Sequence, residues 1–346
     1  MGDLEVNINK LIKALDITVL SHLVPFIQGS PGIGKSDVVR EIANKYKLKV
    51  IDIRLSQCDP TDLSGLPKLD GIKATYLPFD TFPLEGDLIP EGYQGWLIFM
   101  DEINSAPKSL QAVAYKLILD RMVGQHKLHN NVVIMCAGNK ETDNAVVNPI
   151  STALRSRLIT LPLEPDVDDW LSWANLNNID WRIQSYIRYA QLNGLYDFNP
   201  DEVDNAYACP RSWAMLDKIL KHIKLEEQHQ YEELIKGTIG MQVYQFNEFC
   251  SYCSKLPNFE DVLNGTAKFS SSLNIGERYL ISGFIMNNAN KIANDVQASN
   301  VIKYLDELGK EFTIPFYAIS VKQNPKLIAL PSIKTKMREY AVWLTN

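Results

Sequence analysis

The chain has 346 residues, of which 46% are hydrophobic and 22% charged, with a formal net charge of -6. That length suffices for a sizeable buried core and predicts two or three domains, while the composition excludes wholesale disorder. The acidic balance argues against a dominant non-specific attraction to nucleic acid and leaves room only for a local basic surface.

Cysteine usage and hydropathy narrow the setting. Cys58, Cys136, Cys209, Cys250 and Cys253 are scattered in a way that suits a reducing compartment better than a disulfide framework. Cys250 and Cys253 have no second pair or histidine cluster nearby, so two ordinary small residues are expected there rather than a metal or redox centre. No stretch resembles a signal peptide and no uninterrupted apolar run reaches membrane-spanning length. The expectation is a cytoplasmic protein without membrane insertion.

In chain order, Ile8, Leu11, Ile12, Leu15 and Val19 repeat at the spacing of one helical face. An apolar run then ends in Phe26-Ile27-Gln28-Gly29-Ser30-Pro31-Gly32-Ile33-Gly34-Lys35-Ser36, which has the spacing GxxxxGKS. The predicted arrangement is strand, loop and helix, with Val38, Val39, Ile42, Ala43 and Tyr46 on the inner face of the helix. Glycines let consecutive N–H groups turn inward, and the helix start adds positive potential, which together cradle phosphate. The expected nucleotide-binding residues are therefore Gly29, Ser30, Pro31, Gly32, Ile33, Gly34, Lys35 and Ser36. Lys35 would reach the β- and γ-phosphates of ATP, and Ser36 would place its hydroxyl on Mg²⁺.

Residues 49–55 read as a second strand. The connection over 56–92 is rich in Pro, Gly and Asp, with a small strand predicted at 72–76. Its length predicts pore-facing or partner-facing elements, with a plain surface excursion as the alternative. Gly95-Trp96-Leu97-Ile98-Phe99-Met100 is expected to be a central parallel strand covered on both faces, and it ends in Asp101-Glu102. Asp101 would hold Mg²⁺ through its hydration shell and Glu102 would polarise an attacking water; two solvated acids opening a loop are the alternative.

Pro107 can open a helix whose inner face is Leu110, Val113, Ala114, Leu117 and Ile118. Arg121, near its end, would meet either a neighbour's nucleotide or the helix C-terminus. A strand over 132–137 leads into Gly138-Asn139. A neutral amide there can hold a water or a γ-phosphate, so Asn139 is the candidate sensor, or else a turn residue. Arg155 and Arg157 precede the last strand, 158–161, and are candidates for an arginine acting across a subunit boundary; structural salt bridges would also suit them.

Pro162, Pro165 and the acids Asp166, Asp168 and Asp169 mark a boundary, beyond which the pattern is helical. A helix after Cys209-Pro210-Arg211 would bury Trp213, Leu216, Ile219, Leu220 and Ile223. Arg211 at a helix start is electrostatically odd unless it meets a phosphate; extension into solvent is the alternative. Further helical patterns follow over 234–256, 279–285 and 301–308, and Pro315 argues against a central strand in the apolar stretch 314–319. The histidines suggest no metal site.

Taken together, the phosphate loop, Asp101-Glu102-Ile103-Asn104, Ala106-Pro107, Asn139, Ala153-Leu154-Arg155-Ser156-Arg157 and Cys209-Pro210-Arg211 resemble AAA+ ATPases. Asp59-Pro60-Thr61-Asp62-Leu63-Ser64-Gly65 is similar to a motif of the MoxR-like branch, and the likeness spans about residues 5–255. The resemblance implies an α/β AAA+ P-loop core with a central parallel sheet, an α-helical lid and here a mostly helical C-terminal extension. The implied boundaries are a helical segment at 1–24, the core at 25–165, the lid at 166–256 and the extension at 257–346. It also implies hexameric rings, with Arg155 or Arg157 serving the neighbouring subunit and Arg211 as the lid's second sensor. MoxR-like members often act on protein complexes with a von Willebrand factor A domain partner. Ser105 stands where many of them carry Arg, so one habitual contact is missing or relocated. A phage or bacterial member fits this length; a viral one would work in the host cytoplasm.

The leading reading is an enzyme that couples ATP hydrolysis to remodelling of a protein partner. A nucleic-acid motor or loader would instead need a basic pore or face. An ATP-binding assembly scaffold is the non-enzymatic alternative.

Overall fold

Near-continuous apolar runs need cover on both faces, and residues 95–101 and 132–138 find it as adjacent parallel strands. The computed structural model describes residues 5–143, 148–202, 206–321 and 324–340. They divide into two compact units. One contains the described residues up to Asp166 with 199–202, and the other contains Val167–Phe198 and the described residues from 206 onward.

The first unit opens with α1 (Ile8–Leu20), whose Asn7 cap accepts a hydrogen bond from Lys10 N at 3.1 Å. Next come β1 (Val24–Gln28), α2 (Lys35–Lys45), β2 (Leu48–Arg54), α3 (Pro60–Ser64), β3 (Leu66–Asp70), β4 (Lys73–Leu77) and β5 (Gly95–Asp101). The remainder is α4 (Lys108–Asp120), β6 (Met122–Val123), β7 (His126–Lys127), β8 (Val132–Gly138), α5 (Thr152–Arg155) and β9 (Leu158–Pro162).

Five strands form a parallel sheet in the order β2-β5-β8-β1-β9. The three middle strands are buried almost throughout, whereas edge strand β2 alternates buried and exposed residues. Because all five run the same way, the carboxyl ends of β1, β5 and β8 open onto one edge, where a ligand site of an α/β sheet belongs.

The long connection carries an antiparallel hairpin, with Leu66 opposite Leu77 and Asp70 opposite Lys73. It presents apolar side chains to solvent: Leu69 is 83% exposed and Ile72 fully so. A second, two-residue hairpin pairs Met122 with Lys127.

Among its described residues the second unit contains helices and no strand. They are α6 (Val167–Leu176), α7 (Trp181–Ala190), α8 (Leu192–Leu195), α9 (Pro210–Leu220), α10 (Glu232–Ile239) and α11 (Gln242–Ser251). They continue as α12 (Phe259–Asn264), α13 (Ile275–Asn287), α14 (Asp295–Leu308), α15 (Lys310–Pro315), α16 (Pro325–Ile328) and α17 (Pro331–Glu339). The apolar stretch at 314–319 is the end of α15 running into a π-helical turn at 316–321, so Pro315 closes a helix instead of interrupting a strand.

Two apolar clusters fill this unit. One gathers Tyr186, Trp213, Phe246 and Phe249, and the other gathers Ile285, Leu305, Phe312 and Phe316. Trp213 is fully buried against Tyr186 and Phe246, each with ring centroids 5.5 Å away, and its indole N–H donates to Gly194 O at 3.0 Å. Trp213→Ala is expected to destabilise the second unit by about 3–5 kcal/mol, read by urea denaturation; a loss under about 1 kcal/mol would show that the site closes over the cavity.

Candidate active site

The phosphate loop joins β1 to α2, and its shape explains its residues. Gly34 has φ +100, a left-handed conformation that favours glycine. A Cβ on Gly29 would stand 2.6 Å from Ile33 Cδ1 and 2.7 Å from Leu163 O, so the backbone passes where no side chain fits. Lys35 is buried and curls back over the loop, its ammonium donating to Gly29 O at 2.5 Å, Ser30 O at 3.0 Å and Asn139 Oδ1 at 3.1 Å. The candidate sensor at the end of β8 and the loop lysine thus meet directly.

The end of β5 lies beside them. Ser36 Oγ donates to Asp101 Oδ2 at 3.1 Å, which brings together the two expected metal-binding oxygens. Glu102 follows with φ +58, a conformation that costs a non-glycine residue on the order of 1 kcal/mol or more. Its N–H donates to Asp101 Oδ1 at 2.9 Å, and its carboxylate accepts from the Ser56 hydroxyl. The strand therefore ends in a sharp turn that presents adjacent carboxylates separately.

The arginines differ in their surroundings. Arg155 is exposed and pairs with Glu141 at 3.2 Å. Arg157 is also exposed, donates to Ala153 O at 2.7 Å and lies over the Tyr115 ring, 5.5 Å from its centroid. Half-buried Arg121 donates to Val132 O, and burial lowers its pKa from the usual value; in this chain it ties the end of α4 to β8. Arg211 belongs to the second unit, exposed in the first turn of α9, with no hydrogen-bond or ion-pair partner among the described residues.

Comparison with known proteins bears on this geometry. Residues 25–158 match the AAA domain, dynein-related subfamily. That match supports an AAA domain with a nucleotide-binding fold over those residues. No curated protein matches the chain in sequence. Among solved structures, a candidate ATPase from Cytophaga hutchinsonii is 14% identical at a TM-score of 0.36, over 92% of this chain and 82% of that one. A point mutant of RuvB from Thermotoga maritima is 16% identical at 0.38, over 92% and 88%.

Three residues of the AAA domain escaped the sequence reading as site members. Asn104 is buried and donates to Asn139 O at 2.7 Å while accepting from Asn139 N at 3.2 Å, which locks the candidate sensor to the turn after β5. Asp143 accepts from Ser30 Oγ at 2.9 Å and from Lys140 N at 3.0 Å, so it anchors the phosphate loop. Ser56 holds Glu102. Only Asn104 left a local trace, as the last residue of Asp101-Glu102-Ile103-Asn104.

The donor set suits magnesium. One hydroxyl and one carboxylate oxygen stand together, as Mg²⁺ prefers when phosphates and water complete its shell, and among the described residues no cluster of three acids, histidines or cysteines offers a protein-only cage. Asn104→Ala would leave both main-chain groups of Asn139 without their partners. It is expected to cost about 1–3 kcal/mol in denaturation of the first unit and to lower ATPase turnover; unchanged stability would remove Asn104 from its anchoring role.

Proposed function

We propose that the chain is an ATP-hydrolysing AAA+ protein of the MoxR-like kind, working as a ring, with a hexamer expected, to remodel or assemble a protein complex in the cytoplasm. The observation that carries this reading is the meeting of Lys35, Ser36, Asp101, Glu102 and Asn139 at one sheet edge. Lys35 exchanges its carbonyl partners for phosphate oxygens when ATP enters, and the loop N–H groups take the remaining charge. Ser36 and Asp101 would hold magnesium, which would supply positive charge against the phosphates.

Glu102 orients the water that attacks the γ-phosphorus and accepts its proton, while the bond to the leaving ADP oxygen breaks. Asn139 holds the water or a γ-phosphate oxygen without adding charge. Arg155 or Arg157 comes from the neighbouring subunit. Arg155 suits this better: an exposed pair such as Arg155–Glu141 is worth only about 0–1 kcal/mol and exchanges readily, whereas Arg157 is engaged by Tyr115 and Ala153. Arg211 acts as a second γ-phosphate sensor.

The hairpin of β3 and β4 favours a protein partner, such as a von Willebrand factor A domain protein, over nucleic acid. Its Leu66, Leu69, Ile72 and Leu77 are exposed apolar side chains of the sort that contact protein, where a nucleic-acid tracker would display clustered basic residues.

Lys35→Ala is expected to weaken ATP binding, and Glu102→Gln to keep binding while lowering steady-state turnover by about a hundredfold or more. Normal turnover by Glu102→Gln would overturn the assignment. Activity per chain should rise with protein concentration and ignore added DNA; strong stimulation by DNA would favour a nucleic-acid motor. Mixing Arg155→Ala with Lys35→Ala protein should restore part of the activity, because each supplies what the other lacks. The absence of recovery with Arg155→Ala, together with recovery using Arg157→Ala, would transfer the role to Arg157.

A further inference from the structure

Helix α7 carries two buried arginines with opposite surroundings. Arg182 is forked onto Asp180 at 2.7 and 2.9 Å, and its third arm donates to Gln228 at 3.0 Å. Arg188 is 8% exposed, and the only side-chain partner of its guanidinium among the described residues is Met286 Sδ, a weak acceptor 4.0 Å away. Burial lowers its pKa to about 10, only partly opposed by Asp168, so the group is still a cation at neutral pH.

Arg188 lines a cavity of about 520 Å³ within the second unit, between α7, α13 and the π-helical turn. The wall is set by a close approach of two helices: a Cβ on Gly283 would stand 1.7 Å from Ser185 Oγ. Asn175, Asn178, Asn287 and Asn290 add side-chain amides to the lining that make no hydrogen bond among the described residues. Asp180, the acid of the lining, is already neutralised by Arg182. The cavity therefore combines an unanswered, nearly buried positive charge with uncommitted amide donors, at a volume typical of small-molecule sites.

We propose that this cavity binds a small molecule through an oxyanion, a phosphate or carboxylate group seated on the Arg188 guanidinium, with the asparagine amides taking its neutral polar groups. A guanidinium fork matches two oxygens of either group.

The test is thermal unfolding of the full chain, followed by tryptophan fluorescence, in inorganic phosphate or acetate against chloride of equal ionic strength. Lys35→Ala protein is run in parallel to remove phosphate binding at the nucleotide loop. The Tm of wild type and of Lys35→Ala should rise by roughly 2–4 °C at about ten times the dissociation constant. In the Lys35→Ala background, Arg188→Met should show no such rise and be at least as stable as Lys35→Ala alone without anion, because an unpaired buried charge has been removed. A larger response to phosphate identifies a phosphate ligand, and a larger response to acetate a carboxylate. Equal responses in Lys35→Ala with and without Arg188→Met, or none in either, would overturn the site. If Arg188→Met does not fold, the guanidinium is structural, and Arg188→Lys decides: a reduced anion response supports the site and an unaltered one rejects it.

Discussion

A parallel sheet leaves the last amides and carbonyls of its strands pointing past one edge, and buried groups of this kind need partners. In this chain the ends of β5 and β8 are joined through Asn104, and Gly29 N after β1 donates to Gly138 O at 3.2 Å. The Asn104 side chain bonds both main-chain groups of Asn139, and Ile103 N donates to Ala137 O at 3.1 Å. The turn that displays Asp101 and Glu102 is thereby fixed to the strand that displays Asn139. Register within the sheet, with Arg54 opposite Asp101 and Met100 opposite Cys136, sets the depth at which each side chain emerges. The chemistry at the edge is a consequence of satisfying backbone groups at neighbouring strand ends.

Charge at that edge is held ready by neutral or exchangeable partners. Lys35 rests on carbonyl oxygens and an amide oxygen, and Ser36 rests on Asp101. Carbonyl contacts hold the ammonium at the loop, where a phosphate oxygen can replace them. Asp143 serves the loop in another way, gripping Ser30 by its side chain and leaving the loop backbone to curve around the ligand position.

How much of this was legible depended on how far apart in sequence the partners lie. The strands at 24–28, 95–101 and 132–138 announce themselves through unbroken apolar runs, and α2 through its periodic face, because those signals are local. The residues Lys35, Ser36, Asp101, Glu102 and Asn139 were readable from spacing and strand context. Ser56 and Asp143 were not, since Ser56 reaches Glu102 over 46 positions and Ser30 meets Asp143 over 113. The strands of two residues at 122–123 and 126–127 are too short to carry a period. At 314–319 Pro315 argued against a central strand without naming an alternative, and the helical path there packs Phe312, Phe316 and Tyr317 into one apolar cluster.

The same distinction separates the two buried arginines of α7. Arg182 follows Asp180 by two positions, so a local hydrogen-bonded fork answers its charge and also caps the helix, with Arg182 N donating to Asp180 Oδ1 at 2.8 Å. Arg188 lies in the last turn of the helix with no acid among the described residues close enough to form an ion pair, and a fold selected for stability alone would do better with methionine or leucine at such a place. A cation facing a polar recess is a poor structural device and a good receptor for an anion, and this contrast within one helix gives the cavity a chemical meaning that its shape alone would not.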